Sequence, residues 1–147
     1  SLDSEDKVVV FTSTTPGEGK SFVALNTAIS LTMLEKKVLL LGMDLRLPRV
    51  AEYLNISNET GLTTYLSGYE EDIDKLIRTT EINEYLYVMP AGPIPPNPAE
   101  LLSRKTLDSA IAALRPKFDY IIIDSAPVSL VSDTIIINPK TDANVYV

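Results

Sequence analysis

The sequence predicts an α/β fold whose sheet is mostly parallel. Three observations carry that expectation. Five short apolar runs lack polar alternation, as strands buried on both faces do. Segments with helical spacing lie between them. The chain has 147 residues, 45% of them hydrophobic, which suits one domain with a substantial core.

The elements follow in order. Residues 1–6, "SLDSED", are a polar leader, and "KVVVFT" (7–12) is the first strand. Residues 19–35 switch to helical spacing, with Val23, Ala24, Thr27, Ala28, Leu31 and Leu34 on one stripe. "KKVLLLGMD" (36–44) is the second strand, and 48–57 hold a short helix. "NETGLTTYLSG" is a loop leading into a helical turn, and "DIDKLIRTT" is read as helical. "YLYVMPAG" is the third strand. The four prolines of "GPIPPNPAELL" make a stiff, extended entry to a helix. Asn97, Pro98 and Glu100 supply an N-cap, a first-position proline and a reciprocal glutamate for one helix over 98–114. "FDYIIIDSAP" is the fourth strand and "ANVYV" the start of a fifth. The seven tyrosines are read mostly as packing residues, Tyr120 beside a buried strand among them.

Composition excludes several chemistries. Thirteen basic against twenty acidic residues leave a net charge of −7. That argues against nucleic-acid or anionic-membrane binding, while leaving room for one local cationic pocket. Without cysteine there is no disulfide or thiolate metal site, and without histidine no Ser-His-Asp triad or ordinary zinc set. No apolar run reaches membrane-spanning length, and no signal peptide is visible.

In open parallel sheets, ligands sit at the carboxyl ends of the strands. The first strand is followed by "STTPGEGKS", the second by "GMDLRLP" and the fourth strand ends in "DSAP". The first of these nearly matches the phosphate-binding pattern G-x-x-x-x-G-K-[ST], with Thr14 in place of the leading glycine. Such a loop, between a buried strand and a helix, cradles phosphate with backbone N–H groups. Together the three strand ends hold the parts of a magnesium–nucleotide site. Lys20 is a point charge for the β and γ phosphates. Ser21 offers a hydroxyl to the metal, and the strand-end Asp124 completes its shell. Two readings of Arg46 stand: part of the site, or a surface or interface ion-pair partner.

Four stretches, "VVVFTSTTPGEGKSFVALNTAISL", "KVLLLGMDLRLPRV", "GPIPPNPAELL" and "FDYIIIDSAPV", together resemble the bacterial protein tyrosine kinases (BY-kinases) of capsular and exopolysaccharide export. The resemblance runs from about Lys7 to Val147. The first, second and fourth stretches are similar to that family's Walker A, Walker A′ and Walker B elements. It implies a P-loop NTPase three-layer sandwich of the SIMIBI/MinD-like branch, with residues 1–147 as a single kinase domain. It implies ATP and Mg²⁺ as cofactors, held by Thr15, Pro16, Gly17, Glu18, Gly19, Lys20, Ser21 and Phe22. Lys20, Asp44 and Asp124 would be catalytic, and Ser21, Asp44 and Asp124 would face the metal. Asp44 would receive the tyrosine proton or help hold the metal. The implied partners are copies of itself in a ring, a transmembrane polysaccharide chain-length regulator in cis or trans, and a cognate tyrosine phosphatase. The implied location is the cytoplasmic face of the inner membrane, as the soluble domain of a membrane-anchored protein.

The match departs from the family in places. Gly42 stands where the D-x-D-x-R of Walker A′ has its first aspartate, and Arg49 stands where some members carry a regulatory tyrosine. The N-terminal helix used for ring assembly and the tyrosine-rich tail are not among these residues, so the chain is expected to be a piece of a longer protein. Rival readings remain. Partitioning ATPases of the MinD/ParA type carry a signature lysine early in the loop, where this chain has Thr15. A nucleotide-binding assembly module without turnover is another reading, and a small-molecule kinase a third, because the site shows phosphoryl transfer but not the acceptor.

Overall fold

The computed structural model describes residues 8–13, 19–126 and 143–146. Five strands carry the sheet: β1 (Val8–Thr12), β2 (Val38–Gly42), β4 (Leu86–Met89), β5 (Tyr120–Asp124) and β6 (Ala143–Tyr146). A two-residue strand, β3 (Arg78–Thr79), pairs antiparallel with β4 at one edge. The spatial order is β3-β4-β2-β5-β1-β6, and every other pairing is parallel. The strand β5 is therefore wedged between β1 and β2. In its register Asp124 stands opposite Phe11 on one side and Gly42 on the other. That alignment brings three strand ends to one line.

The strands are apolar throughout because both faces are covered. Val8, Val10, Leu39, Leu41, Ile121 and Ile123 face a cluster that includes Leu62 of α3 (Leu62–Leu66) and Leu107, Ile111 and Leu114 of α5 (Arg104–Leu114). Phe11, Val38, Leu40 and Ile122 face the other way, toward Ala24 and Ala28 of α1 (Lys20–Thr32) and Val50 of α2 (Arg49–Leu54). Helices on both faces make three layers, as expected.

Several local expectations are corrected. In α1 the buried stripe is Lys20, Ser21, Ala24, Ala28 and Thr32, while Val23 and Leu34 are exposed. The helix presents its small residues to the sheet, which lets it lie close and turns Val23 outward. "DIDKLIRTT" is not a helix. It forms a single 3₁₀ turn over Ile73–Leu76, capped by the Asp72 side chain, which accepts from the Asp74 N–H. It then becomes β3, anchored by the Arg78 guanidinium, which donates to the carbonyls of Ser57 and Thr60. The sheet thus has a sixth strand that the apolar-run pattern does not show.

The single helix over 98–114 is two helices, α4 (Pro98–Leu101) and α5. Ser103 is extended (ψ 159°) and its Oγ accepts from the Thr106 N–H, so it caps a new helix. A serine offers the backbone this alternative partner, and it wins here over continued helix. At the start of α4, Pro98 is the first helical residue and Glu100 accepts from the Asn97 side chain at 3.1 Å.

The segment after β4 is fastened to the start of α3. Leu62 and Thr63 donate backbone N–H bonds to Pro90 and Ala91, and the Asn58 amide exchanges two hydrogen bonds with the Gly92 backbone. Gly92 has φ +87°, and a Cβ there would lie 2.5 Å from Thr63 Oγ1, so only glycine suits this contact.

Ile122 is fully buried in the centre of β5. Ile122→Ala should lower unfolding free energy by about 2–5 kcal/mol in urea titration, because flanking strands prevent the site from collapsing. A loss below about 1 kcal/mol would mean that β5 is not the packed centre of the sheet.

Candidate nucleotide site

The site begins with Gly19, whose φ of +78° lies in the left-handed region that glycine adopts without strain. It forms the N-cap of α1. The first intrahelical bond beyond it runs from Val23 N to Gly19 O. The amides of Lys20, Ser21 and Phe22 therefore stand ahead of the hydrogen-bonded ladder, at the positive end of the helix dipole. Thr15, Pro16, Gly17 and Glu18 lie outside the described residues.

Lys20 points back across the strand ends. Its Nζ donates to Asp124 Oδ1 and lies 3.7 Å from Asp44 Oδ2. The Ser21 hydroxyl donates to Asp124 Oδ2 at 2.6 Å. All four residues are at least 94% buried. Asp44 is aimed by its own turn, since Oδ1 accepts from the Leu47 N–H at 3.1 Å. The structure thus brings together Lys20, Ser21, Asp44 and Asp124. It does not bring the Phe22 ring with them: that ring is exposed and packs edge-on against Tyr53. Only the Phe22 backbone amide belongs to the helix start. Arg46 is exposed at the rim.

A supporting layer was not read from the sequence. Ser125 donates both its N–H and its hydroxyl to the Phe11 carbonyl, at 3.1 and 3.0 Å. Thr12 Oγ1 reaches the Ala126 carbonyl, and Met43 N donates to the Asp124 carbonyl at 2.8 Å. These bonds clamp the Asp124 turn to β1 and β2. The available signal was the hydroxyl residue directly after the strand-end acid in "DSAP".

Electrostatics follow from burial. Removal from water pushes the Asp124 carboxyl above its ordinary value. Lys20 and the Ser21 hydroxyl pull it back, and the Asp44 charge pushes it further up. One ammonium against two carboxylates (1 − 2) leaves a net charge of −1 in a dry place. A cation would find that site favourable.

The donor set fits magnesium. It consists of hydroxyl and carboxylate oxygens, which hard cations prefer, and the chain has no histidine or cysteine to attract softer metals. Among the described residues no group of three or more acidic side chains forms a metal cage. An ion held here would need further oxygens, which a nucleotide's phosphates and water supply.

The sequence model of the AAA domain family matches residues 6–142. The chain is 37% identical over 147 residues to the tyrosine-protein kinase YwqD of Bacillus subtilis. It is 39% identical over 142 residues to the tyrosine-protein kinase CpsD of Streptococcus pneumoniae. The chain belongs to the AAA domain family.

It spans 61% of the length of YwqD and 62% of that of CpsD. Among solved structures, the kinase domain of the Escherichia coli tyrosine kinase ETK superposes with a TM-score of 0.89 at 30% identity, covering 99% of this chain and 56% of that one. The VpsO kinase domain gives 0.87 at 33% identity, covering 99% and 70%. The Pyrococcus horikoshii septum site-determining protein MinD, solved with Mg-ADP, shares the fold with a TM-score of 0.77 at 23% identity, covering 96% and 57%. The α/β, P-loop ATPase architecture expected from the motifs is therefore present. Among the described residues no helix is long and apolar enough to cross a membrane.

The raised Asp124 carboxyl gives stability a definite pH slope. The folded protein holds that proton more tightly than the unfolded chain does. Its contribution is complete below the ordinary carboxylate range and is lost as pH rises through the folded value. Asp124→Asn carries no such loss. Its unfolding free energy relative to the parent chain should therefore increase between about pH 3 and pH 7. A difference independent of pH would show that the carboxyl is not perturbed.

Proposed function

We propose that this chain is the catalytic unit of an ATP- and Mg²⁺-dependent kinase that phosphorylates protein tyrosine, chiefly on neighbouring copies of the same protein. The observation that carries the reading is the buried meeting of Lys20, Ser21, Asp44 and Asp124 at the ends of β1, β2 and β5. The likeness, at 37–39% identity over nearly the whole chain, to proteins named tyrosine-protein kinases supports tyrosine as the acceptor.

The roles follow from position. The amides at the start of α1 would receive phosphate oxygens, and Lys20 would leave its carboxylates to reach the β and γ phosphates. Ser21 and Asp124 would hold the metal, with Asp44 as a further oxygen. Magnesium, when bound, supplies charge neutralisation on the phosphates. Asp44, oriented by Leu47 N–H, would accept the phenol proton as the tyrosine oxygen attacks in line. Thr15, Pro16, Gly17 and Glu18 would complete the phosphate cradle. In the cell the reading places the chain in capsule or exopolysaccharide export. It would work beside a transmembrane chain-length regulator at the cytoplasmic face of the membrane, in a ring, opposed by a tyrosine phosphatase.

A second reading, an assembly module that binds nucleotide without turnover, is favoured by Gly42. A Cβ there would lie 3.1 Å from the Ala91 nitrogen, so the packing against β4 suits glycine rather than a further carboxylate.

Following γ-labelled ATP separates these readings. Label on tyrosine that Lys20→Met reduces by about 10²–10³-fold or more, with the fold intact by circular dichroism, is the expected result. Unchanged transfer would sink the site assignment, label only in free phosphate would mean an ATPase, and bound but uncleaved ATP would mean the assembly module. Asp44→Asn should lower kcat far more than it weakens ATP binding measured by fluorescence titration. Equal losses in both would make Asp44 a metal or structural residue.

A further inference from the structure

Tyr69 differs from the other described tyrosines. It is 88% exposed. Tyr53 follows at 46%, but its ring packs against Phe22. Tyr87 packs against Phe118 beneath the Lys37 ammonium. Tyr65, Tyr85 and Tyr120 are half-buried. Most of these tyrosines are packing residues, as expected, and Tyr69 is the exception.

Its backbone is presented by a fixed stalk. Gly68, with φ +84°, turns the chain after α3. Tyr69 N and Glu70 N both donate to the Thr64 carbonyl, at 3.1 and 3.2 Å. The helix α3 is in turn bonded to the end of β4 through Leu62 and Thr63. Behind Tyr69 come Glu70, Glu71 and Asp72, whereas the rim of the nucleotide site carries the exposed Arg46, followed by Arg49, which pairs with Glu52 at 3.0 Å. An acidic stalk and a basic rim are complementary in charge.

We infer that Tyr69 is a phosphoryl acceptor, presented by one copy of this chain to the nucleotide site of a second. The inference rests on the kinase reading above and names a substrate for it. The acceptor is assigned to a second copy because, within one copy, the two elements stand on different faces of the sheet. The helix α3 packs with α5 against one face of the sheet, and α1, which begins at Lys20, lies on the other. In the step, the Tyr69 phenol oxygen forms a bond to the γ-phosphorus as the bond from that phosphorus to the β–γ bridging oxygen breaks. The electron pair leaves with ADP, and the phenol proton passes to a carboxylate or to solvent. The product places a doubly charged group beside Glu70, Glu71 and Asp72. That repulsion would act within the stalk, so transfer would alter the turn itself.

The test mixes the parent chain as donor with the Lys20→Met chain as acceptor, under ATP and Mg²⁺. A Glu-Tyr random copolymer serves as a separate acceptor. Phosphopeptide mass spectrometry should find phosphate on Tyr69 of the Lys20→Met chain, and Tyr69→Phe in that acceptor should remove most of its label. Glu70→Lys with Glu71→Lys should lower transfer to Tyr69 severalfold. An independent readout is nitration by tetranitromethane without nucleotide, which should modify Tyr69 before any other tyrosine in the parent and in the Glu70→Lys, Glu71→Lys chain alike. A labelled copolymer with no phosphate on Tyr69 would overturn this inference and leave the kinase reading standing. No phosphotyrosine on either acceptor would overturn both. Nitration of another tyrosine first would remove the exposure on which the inference stands.

Discussion

A lysine ammonium held between two buried carboxylates is the interaction on which the arrangement of this protein depends. Lys20, Asp44 and Asp124 come from three different elements, and none of them keeps useful contact with water. Desolvating three charges is costly, and their mutual attraction offsets that cost only if the geometry is held closely. The fold holds it by register. Because β5 lies between β1 and β2, Asp124 is level with the ends of both neighbours. The bonds from Ser125 to Phe11 and from Met43 to Asp124 keep that level from slipping. A slip of one residue would turn Asp124 to the opposite face of the sheet.

On the proposed reading, the same cluster suits the arrival of a nucleotide. One surplus negative charge in a dry setting attracts a cation, and the lysine is already mounted on the helix whose first amides face outward. A metal and a phosphate arriving together would let each ion change partner without leaving a buried charge uncompensated: the carboxylates turn from ammonium to metal, and the ammonium from carboxylate to phosphate. Binding then exchanges one neutralised arrangement for another, which keeps its electrostatic cost low.

The opposite face of the sheet has a different character. There, α3 and the segment after β4 are tied by backbone bonds and by the Asn58–Gly92 pair, and the 3₁₀ turn by the ion pair of Asp74 with Lys117. This bracing leaves short, rigid outward turns, and Tyr69 sits on one of them. A rigid display costs less entropy on docking than a flexible one.

By itself the sequence determined the layers and picked out the four residues that meet at the strand ends. Uninterrupted apolar runs such as "VLLLG" and "YIIID" require cover on both faces, and a G-K-S after such a run leaves little choice about where a helix begins. These are local rules, so they are legible locally. Tertiary structure decided what depends on competition between partners. Whether Ser103 continues a helix or caps a new one turns on its reach to Thr106. Whether Arg78 sits in a helix or a strand turns on carbonyls some twenty residues away, at Ser57 and Thr60, and on the edge that β4 offers. The stripe of α1 was misjudged because hydrophobicity alone favours Val23 and Leu34, whereas close approach to the sheet favours Ala24 and Ala28. The pairing of Lys20 with Asp44 and Asp124 likewise spans 24 and 104 positions of chain, and only the strand order, with β5 between β1 and β2, makes it physically available.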